Sequence, residues 1–251
     1  MTIPKKKKPI VNHGVNLALE LAHRKPDQDW VFGATSPVCD AEIPEAEREQ
    51  FLPEGERQNI GSEKMDCASR SPINLLATKI TWLYKKGKLS PDHVKWLTDN
   101  NYITDKGTFD FSDRFIAILS GTTPEGNSLI APIETIRKHG LIPKSLFPQI
   151  DNFDEYYDRS KITLKMTILG KEFLKRFQIN YERVLEKDFG ELLKRDLLDV
   201  AGHAWPQPQN GEYPRTSNVI NHAFMAFKTP KYFIFDNYLD SVDGDYVKKL
   251  A

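Results

Sequence analysis

Met65-Asp66-Cys67-Ala68-Ser69-Arg70-Ser71-Pro72-Ile73-Asn74-Leu75-Leu76 places a cysteine at the mouth of an apolar-periodic segment. Ile73, Leu76, Ile80, Leu83 and Tyr84 recur at helical spacing and face one way, so the stretch reads as a helix with a buried stripe. A thiol at a helix N-terminus meets the positive end of the helix dipole and free backbone N–H groups, which favour the nucleophilic thiolate. Free cysteine also serves as a small buried hydrophobe. Which role Cys67 has depends on what the rest of the chain brings to it.

The chain has 251 residues, 39% hydrophobic and 28% charged, which is ordinary globular composition with room for one large domain or two lobes. Its 35 basic and 35 acidic residues balance, which argues against a nucleic-acid partner. The two cysteines, Cys39 and Cys67, are too few for a disulfide framework and suit a reducing, cytoplasmic setting. No apolar run reaches membrane-spanning length, so no membrane partner is expected. Pro4-Lys5-Lys6-Lys7-Lys8-Pro9 lacks the apolar core of a secretion signal and reads as a solvated tail. Cys39 and the scattered histidines show no ligand spacing, so neither metal nor cofactor is expected.

Residues 1–49 read as an N-terminal arm: a short helix over 15–22, then prolines 37, 44 and 53 around the acidic run 42–49. Trp30, Val31 and Phe32 are its candidate anchors on the body. The body, 50–251, opens with helices. The Cys67 helix runs to Lys85 and stops at Gly87, and Ser90-Pro91 caps the next. Helical pieces follow over 111–119, from Leu129 to Gly140, and over 163–177, with a turn-rich loop from Ser120 to Asn127. After Ile179 strand signals dominate, over 180–185, 197–201, 219–227 and 232–236, with a helix at Phe189–Arg195. The class is therefore α+β, a helical lobe over about 50–177 and an antiparallel sheet lobe over 178–251, with a cleft between lobes where ligands bind.

Six histidines could serve Cys67 as a base. His13 and His23 lie in the arm, His93 and His139 on polar helices, and His203 beside Gly202 is a fallback. His222 opens the apolar strand Asn221-His222-Ala223-Phe224-Met225-Ala226-Phe227, and a tight hairpin returns Tyr232-Phe233-Ile234-Phe235-Asp236-Asn237 towards it. A thiol nucleophile needs an imidazole to take its proton and a third polar side chain to orient that ring. An amide and a carboxylate both end the returning strand.

At this point the chain resembles the papain-like cysteine protease family. Cys67-Ala68-Ser69-Arg70-Ser71 stands where the family has its nucleophile, and Gly126-Asn127 followed by a helix and Lys138-His139-Gly140-Leu141-Ile142-Pro143 resembles its Gly-rich loop, helix and turn. Phe147-Pro148, Asn221-His222-Ala223 and the strand ending at Asn237 follow in the family's order. The resemblance implies Cys67, His222 and Asn237 as catalytic residues, Asp236 as alternate third member, Gln58 as oxyanion donor and Gly126 and Asn127 in the substrate cleft. Departures are visible: Gln58 lies farther from Cys67 than in the family, Ala68 replaces an aromatic, Tyr238-Leu239 replaces a shielding Ser-Trp, and the family's disulfides are absent. Hydrolysis of peptide or protein substrates is the expected activity. The alternative is a papain-like structural or assembly protein without turnover, with residues 1–49 contacting a partner. Such divergent chains also occur among phage-encoded proteins, which would make it virion-associated.

Overall fold

A computed structural model describes residues 14–23, 42–55, 57–203, 210–213, 220–238 and 246–249. Trp30, Val31 and Phe32, the basic tail and Cys39 lie outside the described residues. Helix α1 (Leu17–His23) is followed by a 3₁₀ helix (Glu45–Phe51), then α2 (Cys67–Lys85), α3 (Pro91–Asp99), α4 (Asp113–Ser120), α5 (Ile130–His139), α6 (Phe153–Tyr156), α7 (Leu164–Arg176) and α8 (Phe189–Arg195). Strands β1 (Leu198–Gly202), β2 (His222–Thr229), β3 (Lys231–Phe235) and β4 (Val247–Lys249) form one antiparallel sheet in the order β1-β2-β3-β4.

Helix α2 divides the two halves because it is apolar on two sides. Ile73, Ala77 and Ile80 enter a core with Tyr102, Phe109, Phe111, Phe115 and Phe173 of the helical lobe. Trp82, with the half-buried Leu75, enters a second core with Met225, Phe227 and Phe235 of the sheet. Alternation along the strands keeps the sheet faces distinct. Leu198, Val200, Phe224, Ala226 and Ile234 pack on Leu192 and Leu193 of α8. The opposite parity, Leu197, Asp199 and Ala201 with Ala223 and Met225, turns towards α2.

Several local expectations shift for identifiable reasons. The strand expected over 180–185 does not form: the segment is irregular chain after α7, with Arg183 alone in a bridge. The third helix starts at Asp113, not Phe111: Ser112 caps it by accepting from Phe115 N–H at 3.1 Å, and Phe111 instead bridges to Pro143. The Ser90 cap before Pro91 forms as expected, accepting from His93 N–H at 3.2 Å. Pro72 lies inside α2, which continues through it to Lys85. Residues 42–49, expected in the arm, run with Gln50 and Phe51 into the sheet lobe. Ile43 and Phe51 join its core, and the fully buried Arg48 donates to the carbonyls of Ile43, Leu193 and Lys194.

Candidate active site

Cys67 is the first residue of α2, and the residue before it is clamped. Buried Asp66 accepts from Arg70 Nε at 2.8 Å and from the Tyr156 hydroxyl at 2.5 Å, while Arg70 also pairs with Asp113 at 3.1 Å. Met65 takes a left-handed backbone conformation, φ 58°, which sets the sharp entry into the helix. The first backbone N–H groups of a helix have no acceptor inside it, so those of Cys67 and Ala68 lie beside the thiol. From the sheet lobe, Ala223 N–H donates to Cys67 Sγ at 3.3 Å.

His222, which opens β2, is fully buried. Its Nε2 meets Asp236 Oδ1 at 2.6 Å, and the ring is electrostatically coupled to the Cys67 sulfur. Asp236 does not serve His222 alone: Lys248 of β4 places Nζ 2.7 Å from its other oxygen, with both side chains almost wholly buried. Asn237, the expected third member, is turned elsewhere and accepts from Asn74 Nδ2 of α2 at 2.9 Å. Asp236 and Asn237 follow the end of β3 directly, and it is Asp236 that reaches the ring. The Tyr238 ring lies edge-on to His222 with centroids 5.3 Å apart, where an aromatic shields the pair from water.

Gln58 is buried one side chain further out. Its Nε2 donates to Glu63 Oε1 at 2.5 Å and to the Tyr238 hydroxyl at 3.0 Å, and that hydroxyl donates to Glu63 Oε2. The amide is thus spoken for in this state. Gly126 and Asn127 line a trough leading to Cys67, and the chain's own residues 14–16 lie in it. Asn127 N–H donates to Gly14 O and Asn16 N–H to Asn127 O, both at 2.8 Å, a parallel bridge centred on Val15. Val15 N–H reaches Asn221 O of the sheet lobe at 3.3 Å. Val15 is buried on Cys67, Ala68 and Ala223, with Leu129 and Ala201 at its edges. Gly14 passes directly over the thiol: a Cβ on it would stand 2.9 Å from Cys67 Sγ. Glu20 of α1 latches the segment by accepting from Leu129 N–H at 2.8 Å, and His23 Nδ1 meets Ser128 Oγ at 2.8 Å.

A helical lobe and an antiparallel sheet lobe thus meet along a helix that begins with cysteine, opposite a histidine–carboxylate pair. Among solved structures the chain is similar to xylellain, a cysteine protease from Xylella fastidiosa, with TM-score 0.54, 15% identity and coverage of 99% of this chain and 92% of that one. The fold is that of the papain-like cysteine proteases. The Amb a 11 cysteine protease, a major ragweed pollen allergen solved in its proform, gives TM-score 0.53 and 12% identity over 96% of this chain and 69% of that one. No family model and no curated protein matches the sequence.

The electrostatics of this papain-like site follow from its closure. Burial beneath the arm pushes the Cys67 thiol up, against the pull of His222. Burial opposes charge on His222 as well, but the Asp236 carboxylate and the Cys67 sulfur outweigh it and push the ring up to about 10. Burial would raise Asp236, yet His222 and Lys248 hold it well below the usual carboxylate range. A group raised in the folded state stabilises fully below its unfolded pKa and loses that contribution as pH rises through the folded one. The His222 contribution is therefore expected in full below about pH 6.5 and to be lost as pH rises towards 10. Urea unfolding across that range should show stability falling, and His222→Ala should flatten the slope; an unchanged slope would refute the ion pair.

Among the described residues no group of three His, Cys, Asp or Glu side chains could hold a metal ion, and no helix is long and apolar enough to cross a membrane. Sequence reasoning did not reach Lys248, Glu63 or the lodging of Gly14 and Val15 over Cys67. Gly14, with φ 114°, is a local signal that could have led there.

Proposed function

We propose that the chain is a cysteine peptidase whose cleft is closed by its own N-terminal segment. The carrying observation is His222 held between Cys67 and Asp236 at the start of the interlobe helix. His222 takes the Cys67 proton as the sulfur attacks a peptide carbonyl, then gives it to the leaving amine. The resulting thioester is hydrolysed by water that His222 deprotonates. Asp236 orients the ring and balances its charge, and Lys248 fixes Asp236. The Cys67 backbone N–H is the oxyanion donor, with the Gln58 amide as a second once it leaves Glu63.

The arm lies as an inhibitor rather than as a substrate. The Gly14 carbonyl oxygen is bound by Asn127 N–H in the trough wall, so it does not sit at the helix N-terminus where an oxyanion would form. The similarity to a protease solved in its proform supports reading residues 14–23 as the segment that keeps the cleft shut. A papain-like structural protein that never opens is the competing reading, favoured by the same filled cleft.

An epoxide-type thiol-protease inactivator at neutral pH, read by intact mass and peptide mapping, separates the two. With the arm displaced, Cys67 should be labelled selectively and His222→Ala should slow labelling by about 100-fold or more. Labelling of Cys67 that is indifferent to His222 would leave the chain a scaffold.

A further inference from the structure

The mechanism leaves one half-buried acid unused. Asp199 of β1 accepts from Ser71 Oγ of α2 at 2.5 Å through Oδ1, while its Oδ2 is buried with no hydrogen-bond partner. Burial, with Glu20 of the arm adding like charge and the Ser71 bond opposing, pushes its carboxyl up to about 7. An orphaned carboxyl oxygen in a dry site is costly and marks a place where a donor is missing.

Its position says which donor. Val15 fills a pocket walled by Cys67 and Ala68 on α2 and by Ala201 and Ala223 on the sheet. Asp199 is two residues from Ala201 on the same side of β1, about 7 Å along the strand. Ser71, which holds it, is one turn below Cys67 on α2, about 5 to 6 Å along the helix. Both walls therefore step down from Val15 to the same carboxyl. Paired across the strands with Asp199 is Met225, whose sulfur accepts from Thr78, so the surroundings at that depth are apolar or already bonded. Valine offers this carboxyl no donor; an extended side chain ending in a cation does.

We propose that Asp199 is the specificity-determining floor of the pocket now occupied by Val15, and that the pocket selects a lysine or arginine side chain of a bound peptide. The selection rests on the peptidase reading for its substrate, but the pocket's preference stands apart from turnover. A basic side chain seated there supplies Oδ2 with the donor it lacks, and its stem packs where the valine methyls now lie.

The test uses the full-length chain and the arm itself as the ligand, with the rate of Cys67 alkylation reporting how often the arm lifts. Val15→Lys and Val15→Met are each made with Asp199 and with Asp199→Asn, which keeps an acceptor for Ser71. With Asp199 present, Val15→Lys should stay as protected as Val15→Met. In the Asp199→Asn background Val15→Lys should label about tenfold faster or more, while Val15→Met changes little. Equal labelling of Val15→Lys in both backgrounds would overturn the proposal. Because alkylation needs no turnover, a chain that fails to cleave any peptide would sink the peptidase reading and leave this result standing.

Discussion

Gly14→Val is expected to raise the rate at which iodoacetamide alkylates Cys67 at neutral pH by about tenfold or more. Gly14 has φ 114°, where L side chains are strained, and a Cβ there would lie 2.6 Å from Met65 O and 2.9 Å from Cys67 Sγ. Neither neighbour can yield: Met65 is backbone at a constrained turn and Cys67 starts a buried helix. The arm holds through Val15 burial, worth about 2 kcal/mol, and three backbone hydrogen bonds of about 1 kcal/mol each, against the entropy of ordering the segment. Strain of about 1–3 kcal/mol is a large part of that balance. Once the arm lifts, water reaches Cys67 and the burial that now disfavours its thiolate is gone, so reactivity should rise through exposure and ionisation together. Peptide mapping distinguishes Cys67 from Cys39, and circular dichroism checks that the fold persists. Unchanged Cys67 labelling in a folded Gly14→Val chain would mean that the arm does not guard the thiol.

Asp236→Ala is expected to damage the protein far more than Asn237→Ala. Removing the carboxylate strands the Lys248 ammonium, almost wholly buried, and leaves His222 Nε2 without its acceptor. Breaking a buried pair from one side costs about 3–5 kcal/mol, and an unoriented ring should also slow Cys67 labelling once the arm is displaced. Asn237→Ala leaves the Asn74 amide short of one acceptor, a loss of about 1–3 kcal/mol, with the pair of His222 and Asp236 intact. Chemical denaturation gives the stabilities and pH-dependent alkylation the ring's state. If Asn237→Ala instead abolishes the pH dependence while Asp236→Ala spares it, Asn237 is the third member.

The elements nearest Cys67 were legible because their signals are local. The apolar spacing from Ile73 marked α2 to its last residue, Lys85, and Ser90-Pro91 marked the start of α3. The short link between β2 and β3 is likewise local, and it is what returns Asp236 to within a hydrogen bond of His222, 14 residues earlier. The expected strand over 180–185 failed because strand-like composition is only a weak backbone preference, which tertiary context overrides.

What the sequence by itself determined is the set of parts: a cysteine at the start of a two-sided helix, a histidine at the start of an apolar strand, and a carboxylate and an amide ending the next. Only the tertiary structure set Asp236, rather than Asn237, against the His222 ring, because that contact depends on the pairing of Met225 with Phe235 and on Lys248 arriving from β4. It alone laid Val15 against Asn127 and Ala223, and Ser71 against Asp199. Caps and periodicity act within a few residues, where sequence can be read directly. The closed cleft rests on contacts between segments more than a hundred residues apart, and those exist only when both lobes have packed on α2.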